Sequence, residues 1–153
     1  LVLLFDTGKG ALAVLAPGWT GAPEWTVYST AILVVIGHNW PVFLGFRGGK
    51  GAASILGVSL ALFPVLTLIA FVPALLVTLL VRNVVLGALL GFVIFNTSTV
   101  VTGQPVGLVA LCLFLTLLVI ATYLGSGRER LSAAIKARQW RVLFYGVRPP
   151  PEE

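Results

Sequence analysis

Charge is what this chain has least of. Asp, Glu, Lys and Arg together make up 10% of its 153 residues, whereas a soluble globular domain carries about 25%. So few charged groups could not cover the surface of a water-soluble fold this size, which excludes that class. Methionine is missing altogether and the chain opens on Leu1; a complete translation product starts with methionine, so the expectation is a trimmed or partial chain. No basic leader precedes Leu1, and Asp6 and Lys9 interrupt the first apolar run, so a signal peptide fits poorly. The single cysteine, Cys112, excludes an internal disulfide framework; inside an apolar run it reads as a small core hydrophobe. The single histidine, His38, has no Cys or carboxylate near it in sequence, which argues against a metal site.

What is present is hydrophobic. Apolar residues make up 58% of the chain, and the mean hydropathy is +1.05. Apolar runs and their breakers predict six helices, at about 1–16, 27–44, 52–63, 65–81, 84–101 and 106–124. Pro17-Gly18, Pro64, Arg82-Asn83 and Gly103-Gln104-Pro105 punctuate them. The expected fold is all-α: a polytopic transmembrane helix bundle over 1–127, followed by a basic tail over 128–153.

The third run is short, about 18 Å of helix against a hydrocarbon core of about 30 Å, so residues 52–81 could instead form one Pro-kinked helix. Charge arbitrates. Loop 17–26 carries Glu24 and no Lys or Arg, which places it outside. Loop 45–51, with Arg47 and Lys50, then lies inside. A turn near Pro64 brings Arg82 and the basic tail inside as well, as the positive-inside rule asks; a single helix would put them outside. From Arg128 to Arg148 the tail holds Arg128, Arg130, Lys136, Arg138, Arg141 and Arg148 against Glu129, interleaved with Leu131, Ile135 and Trp140. That pattern suggests a helix lying on an anionic leaflet, then a disordered end at Pro149–Glu153. The basic balance implies membrane lipid as partner and needs no nucleic acid.

Gly37–Gly51 contains the histidine, Arg47, Lys50 and a glycine cluster between two apolar segments. A bilayer penalises both charge and unpaired backbone, so such a loop should exist for a purpose. Glycines that free backbone N–H groups beside Arg47 and Lys50 suit an anionic oxygen cluster. Gly48-Gly49-Lys50-Gly51 is not a nucleotide P-loop, which needs Ser or Thr after the lysine and a glycine where Leu44 stands. No βαβ unit surrounds it, so a dinucleotide fingerprint fails too. What remains is a phosphate clamp at the mouth of a helix bundle, with the N-terminal N–H groups of the third helix facing the same anion. An ordinary positive-inside loop with flexible glycines is the bland alternative. His38 could be a general base, a phosphate ligand or a structural hydrogen-bonder. Asp6 and Lys9, three apart on the first helix, share a face and can neutralise each other. Asn96, Thr97, Ser98 and Thr99 read as polar glue between helices.

Gly37-His38, Pro41-Val42-Phe43 and Phe46-Arg47-Gly48-Gly49-Lys50-Gly51 resemble the central motif of the bacterial acyl-phosphate:glycerol-3-phosphate acyltransferases, membrane enzymes of phospholipid synthesis. Asp6-Thr7-Gly8-Lys9-Gly10 is similar to the Asp-x-x-Lys-Gly that precedes it in that family, and Arg82–Leu86, Gly103-Gln104-Pro105 and Tyr123 follow at family-like spacing. The resemblance implies a seven-helix enzyme of the bacterial inner membrane with its motif loops and C-terminus cytoplasmic. It implies acyl transfer from acyl phosphate to glycerol 3-phosphate, giving lysophosphatidic acid, with no cofactor, coenzyme A or metal. It also makes His38 and Lys50 the catalytic candidates. Lys50 with Gly48, Gly49 and Gly51, assisted by Arg47, would hold substrate phosphate; Asn39 with His38 would shape the loop or orient substrate, and Asp6, Lys9 and Arg82 would support them. The chain departs from the family at three places. An N-terminal loop resembling Gly-Ser-Gly-Asn-x-Gly-Ala-Thr-Asn has no counterpart, Leu124–Arg130 stands where Arg-His-x-x-Asn is expected, and Val85 replaces a common serine. Two alternatives follow: an inactive relative that binds lipid or a partner membrane protein, and a small anion transporter.

Overall fold

The computed structural model describes residues 1–46 and 48–136, with side chains through residue 125 except that of residue 44. Six α-helices make up the described residues: α1 (Val2–Trp19), α2 (Glu24–Asn39), α3 (Ala52–Leu62), α4 (Pro64–Val81), α5 (Val84–Val101) and α6 (Val106–Lys136), with a 3-10 turn at Val42–Leu44 and no strand.

The helix ends follow local chemistry, and four differ from the sequence expectation by three residues or more: both ends of α2, which starts at Glu24, the end of α1, and the end of α6 at Lys136. Helix α1 does not stop at residue 16 but runs through Pro17 to Trp19. In the last turn a proline forfeits one backbone bond and leaves the others intact; Thr20 N–H and Ala22 N–H both donate to the Pro17 carbonyl. Helix α2 ends at Asn39, well short of residue 44, because Pro41 disfavours helical backbone at Trp40, which sits at φ −129°, ψ 66°. Residues 52–81 form two helices rather than one kinked rod. Phe63 leaves the helical region at φ −139°, ψ 68°, and Pro64 opens α4 at a position where its missing N–H costs nothing. Arg82 ends α4 in the left-handed region, and the Asn83 side chain accepts from Val85 N–H at 3.0 Å and Leu86 N–H at 3.2 Å to cap α5.

Small residues let the helices approach. A Cβ on Gly10 would collide with the Ser54 backbone, and one on Gly57 with the Thr7 backbone, so α1 and α3 touch main chain to main chain. Gly87 plays the same part on α5 against Ala74 and Thr78 of α4. Phe63, Ala70, Phe95 and Cys112 form a buried cluster among α4, α5 and α6, with the Phe63 and Phe95 ring centroids 6.3 Å apart. Asn96 donates to Thr116 Oγ1 at 2.9 Å and ties α5 to α6, one of the polar links expected of that stretch. Helices α4 and α5 and the segment Val106–Gly125 are long and apolar enough to cross a membrane, and their outward residues, Leu68, Leu79, Val93 and Leu117 among them, are apolar and exposed.

Leu1–Val119 is one compact unit; the second begins at Ile120, and within it the helix continues to Lys136. Of the basic tail expected over 128–153, the backbone through Lys136 continues α6; the rest, over 137–153, lies outside the described residues.

Candidate active site

Helix α2 delivers His38 and Asn39 to its last turn, and the chain then folds back on them. Gly45 N–H donates to Val42 O at 3.2 Å and Phe46 N–H to Pro41 O at 3.1 Å, closing a tight turn. Gly45 and Phe46 both take φ of +61° to make it. On the return, Gly48 N–H donates to Asn39 O at 3.2 Å and Gly49 N–H to His38 O at 3.1 Å. The glycines are therefore needed for close approach. A Cβ at residue 48 would run into the His38 carbonyl and the Pro41 ring, and a Cβ at residue 49 into the His38 imidazole. Gly51, at φ +77°, starts α3 directly over the Asn39 side chain, which is 3% exposed.

This geometry redirects one expectation. The N–H groups of Gly48 and Gly49 point at α2 carbonyls, so these residues shape the wall instead of presenting amides to an anion. The first N–H groups of α3 have no acceptor within their own helix, as at any helix start, and Gly51 supplies no side-chain cap. Ala52 and Ala53, in the first turn of α3, line the cleft, and the positive end of the helix dipole lies at that turn.

Helix α1 brings the remaining polar groups. Lys9 Nζ lies 2.6 Å from Asp6 Oδ1 and 2.6 Å from His38 Nδ1, while Asp6 Oδ1 is 3.4 Å from the same ring nitrogen. Pairing of Asp6 with Lys9 was legible from their spacing. The link from Lys9 to His38 was not, because it joins residues 29 apart. The available signal was that the sole histidine and the sole lysine of the first apolar run both interrupt otherwise hydrophobic helices. Asp6, Lys9, His38 and Gly48 through Ala53 line one open cleft of about 590 Å³, together with Val2, Gly37 and Pro41. The structure thus brings together Asp6, Lys9, His38, Gly48, Gly49, Lys50 and Gly51, with Asn39 packed beneath Gly51. Arg82 stands exposed at the end of α4 and is not among the lining residues. Arg47 lies outside the described residues. Among the described residues no group of three or more His, Cys, Asp and Glu side chains could hold a metal.

Fold and site together define an all-α, polytopic integral membrane protein with a glycine-walled cleft carrying two lysines. The glycerol-3-phosphate acyltransferase family profile matches residues 1–132. A glycerol-3-phosphate acyltransferase of Thermus thermophilus is 39% identical over 145 residues, covering 90% of this chain and 73% of that protein. Glycerol-3-phosphate acyltransferase 1 of Deinococcus radiodurans is 42% identical over 121 residues, covering 78% of this chain and 61% of its own. Among solved structures, the integral membrane glycerol 3-phosphate acyltransferase PlsY (YgiH), in its glycerol 3-phosphate form, superposes with a TM-score of 0.73 at 31% identity over 94% of this chain and 72% of PlsY. Its lysophosphatidic acid form matches with the same score. The chain belongs to the glycerol-3-phosphate acyltransferase family.

Proposed function

We propose that this protein moves a fatty acyl group from an acyl phosphate to the 1-hydroxyl of sn-glycerol 3-phosphate, releasing inorganic phosphate and forming lysophosphatidic acid for phospholipid synthesis. The observation that carries this reading is the cleft: Lys50, a glycine wall and the open N-terminus of α3 converge on one small volume in a membrane protein of this family. Both substrates carry phosphate, and those are the groups that bind it. The glycerol 3-phosphate and lysophosphatidic acid forms of PlsY support the same pair of substrate and product.

The chemistry asks little of the protein beyond placement. The acyl carbon of an acyl phosphate is already activated, so no acyl-enzyme is needed. The glycerol hydroxyl oxygen attacks that carbon, the carbon–oxygen bond to phosphate breaks, and the hydroxyl proton leaves on the departing phosphate. Rate is gained by holding two phosphates in register and by stabilising the developing oxyanion. On this reading the cleft opens to the cytoplasmic side of the bacterial inner membrane, as the basic loops 45–51 and 82–83 require.

The test supplies the intact gene product in lipid nanodiscs with palmitoyl phosphate and glycerol 3-phosphate and measures lysophosphatidic acid and phosphate. One-to-one product formation is expected, with Lys50→Ala lowering kcat/KM by about 100-fold, the scale of one lost charge-assisted contact in a transition state. Equal product from wild type and Lys50→Ala refutes the phosphate role. Equal product with palmitoyl coenzyme A as donor refutes acyl phosphate as the specific donor. No product from wild type favours the inactive, lipid-binding alternative.

A further inference from the structure

Lys9 lines the cleft, and a lysine facing a phosphate site invites the role of a second phosphate cation. Its surroundings argue otherwise. An ammonium has three N–H donors and no acceptor. One donor is spent on Asp6 Oδ1 and another on His38 Nδ1, each at 2.6 Å. The carboxylate also cancels the charge. A neutralised, doubly engaged ammonium attracts phosphate poorly.

What Lys9 does control is the imidazole. Because Lys9 can only donate, Nδ1 of His38 must accept, which leaves the ring proton on Nε2. The Nε2 edge is the one that lies against Gly49. The His38 carbonyl meanwhile receives the Gly49 N–H, so ring and backbone of one residue both seat the strand that carries Lys50. We propose that Asp6, Lys9 and His38 form a positioning relay. Asp6 fixes Lys9, Lys9 fixes the tautomer and orientation of His38, and His38 sets the register of Gly48–Gly51 and hence the place of Lys50. Asp6 and Lys9 are on this account positioning residues and touch no reacting atom. The kinetic arm of the test rests on the reaction proposed above, and the spectroscopic arm does not.

His38 is the only histidine of this sequence, and ¹⁵N NMR of tag-free, histidine-labelled protein in nanodiscs, with its signal assigned by loss in His38→Asn, reports its tautomer. Wild type should show a protonated Nε2 and a bare Nδ1. Lys9→Met keeps the aliphatic stem but removes the donor. The proton should then move to Nδ1, where Asp6 Oδ1, 3.4 Å away, becomes its acceptor. Asp6→Asn should leave the tautomer unchanged. A wild-type Nδ1–H, or no change in Lys9→Met, overturns the relay. In the kinetic arm, Lys9→Met should lower kcat by about 10- to 100-fold while KM for each substrate stays within about threefold. His38→Asn, which keeps an acceptor near the Nδ1 position, should retain more activity than His38→Leu. The Lys9→Met/His38→Leu double variant should be no worse than the weaker single. A tenfold rise in KM for either substrate at unchanged kcat makes Lys9 a substrate ligand and overturns the proposal. If wild type forms no product, the proposed reaction fails, and the tautomer measurement still decides the relay.

Discussion

The imidazole of His38 occupies the space that any side chain at residue 49 would need. Helix end and glycine strand are therefore one unit: the ring can stay where Lys9 holds it only because residue 49 has no Cβ. Two glycines in this loop separate that demand from backbone conformation. Gly49 has the close contact, while Gly45 has φ +61° and open space, with nothing within 4 Å of where a Cβ would stand.

Gly49→Ala is accordingly expected to abolish acyl transfer, because either the ring or the strand must shift. Gly45→Ala should cost about 1–2 kcal/mol of stability from left-handed strain and keep most activity. Rates with palmitoyl phosphate and thermal unfolding in detergent distinguish the two; equal activity in both variants contradicts the close-packing account.

The α1–α3 contact makes a second contrast. Gly57→Ala pushes a methyl into the Thr7 backbone and should lower stability by about 1–3 kcal/mol, the usual cost of overpacking. Gly8→Ala, on α1 with open space around it, should be neutral or slightly stabilising, since alanine favours a helix interior by up to about 1 kcal/mol. Unfolding midpoints of the two variants should move in opposite directions or differ by several degrees.

Stability and substrate binding should part company at Ala53. This residue lies in the first turn of α3 and lines the cleft. A carboxylate there complements the helix dipole, worth about 0.3–1 kcal/mol, yet it occupies the ground proposed for an anionic substrate. Ala53→Asp should thus match or exceed wild type in thermal stability while KM for glycerol 3-phosphate rises at least tenfold. An unchanged KM would move the phosphate away from the α3 N-terminus.

Asn83 supplies a control outside the cleft lining. Replacing it with alanine removes both hydrogen bonds to the start of α5 and should cost about 1 kcal/mol of stability. Kinetic constants should be unchanged within twofold, as measured on the same preparation.

Much of the architecture could be read from composition and punctuation, since a proline or a lone charge in a hydrophobic run constrains the backbone locally. Helices α3 to α5 came within a residue or two of expectation for that reason. The error at the end of α2 arose because Val42-Phe43-Leu44 is apolar enough to look like more helix, whereas Pro41 had already ended it. The site was partly legible. Lys50, its glycines and the start of α3 stood together in sequence, and Asp6 with Lys9 followed from helical spacing. Arg82 does not join the lining, and nothing in its neighbourhood in the chain could have shown that.

The sequence by itself determined that this protein is a membrane helix bundle and singled out the loop that lines its cleft, because hydrophobicity, proline and glycine act over a few residues at a time. Only the tertiary structure decided what each glycine is for and where Lys9 points. Gly48 and Gly49 serve a fold-back onto α2 and do not offer their amides, and Lys9 of α1 reaches His38 of α2, 29 residues further along the chain. Those are contacts between segments distant in the chain, fixed by packing that no local pattern specifies.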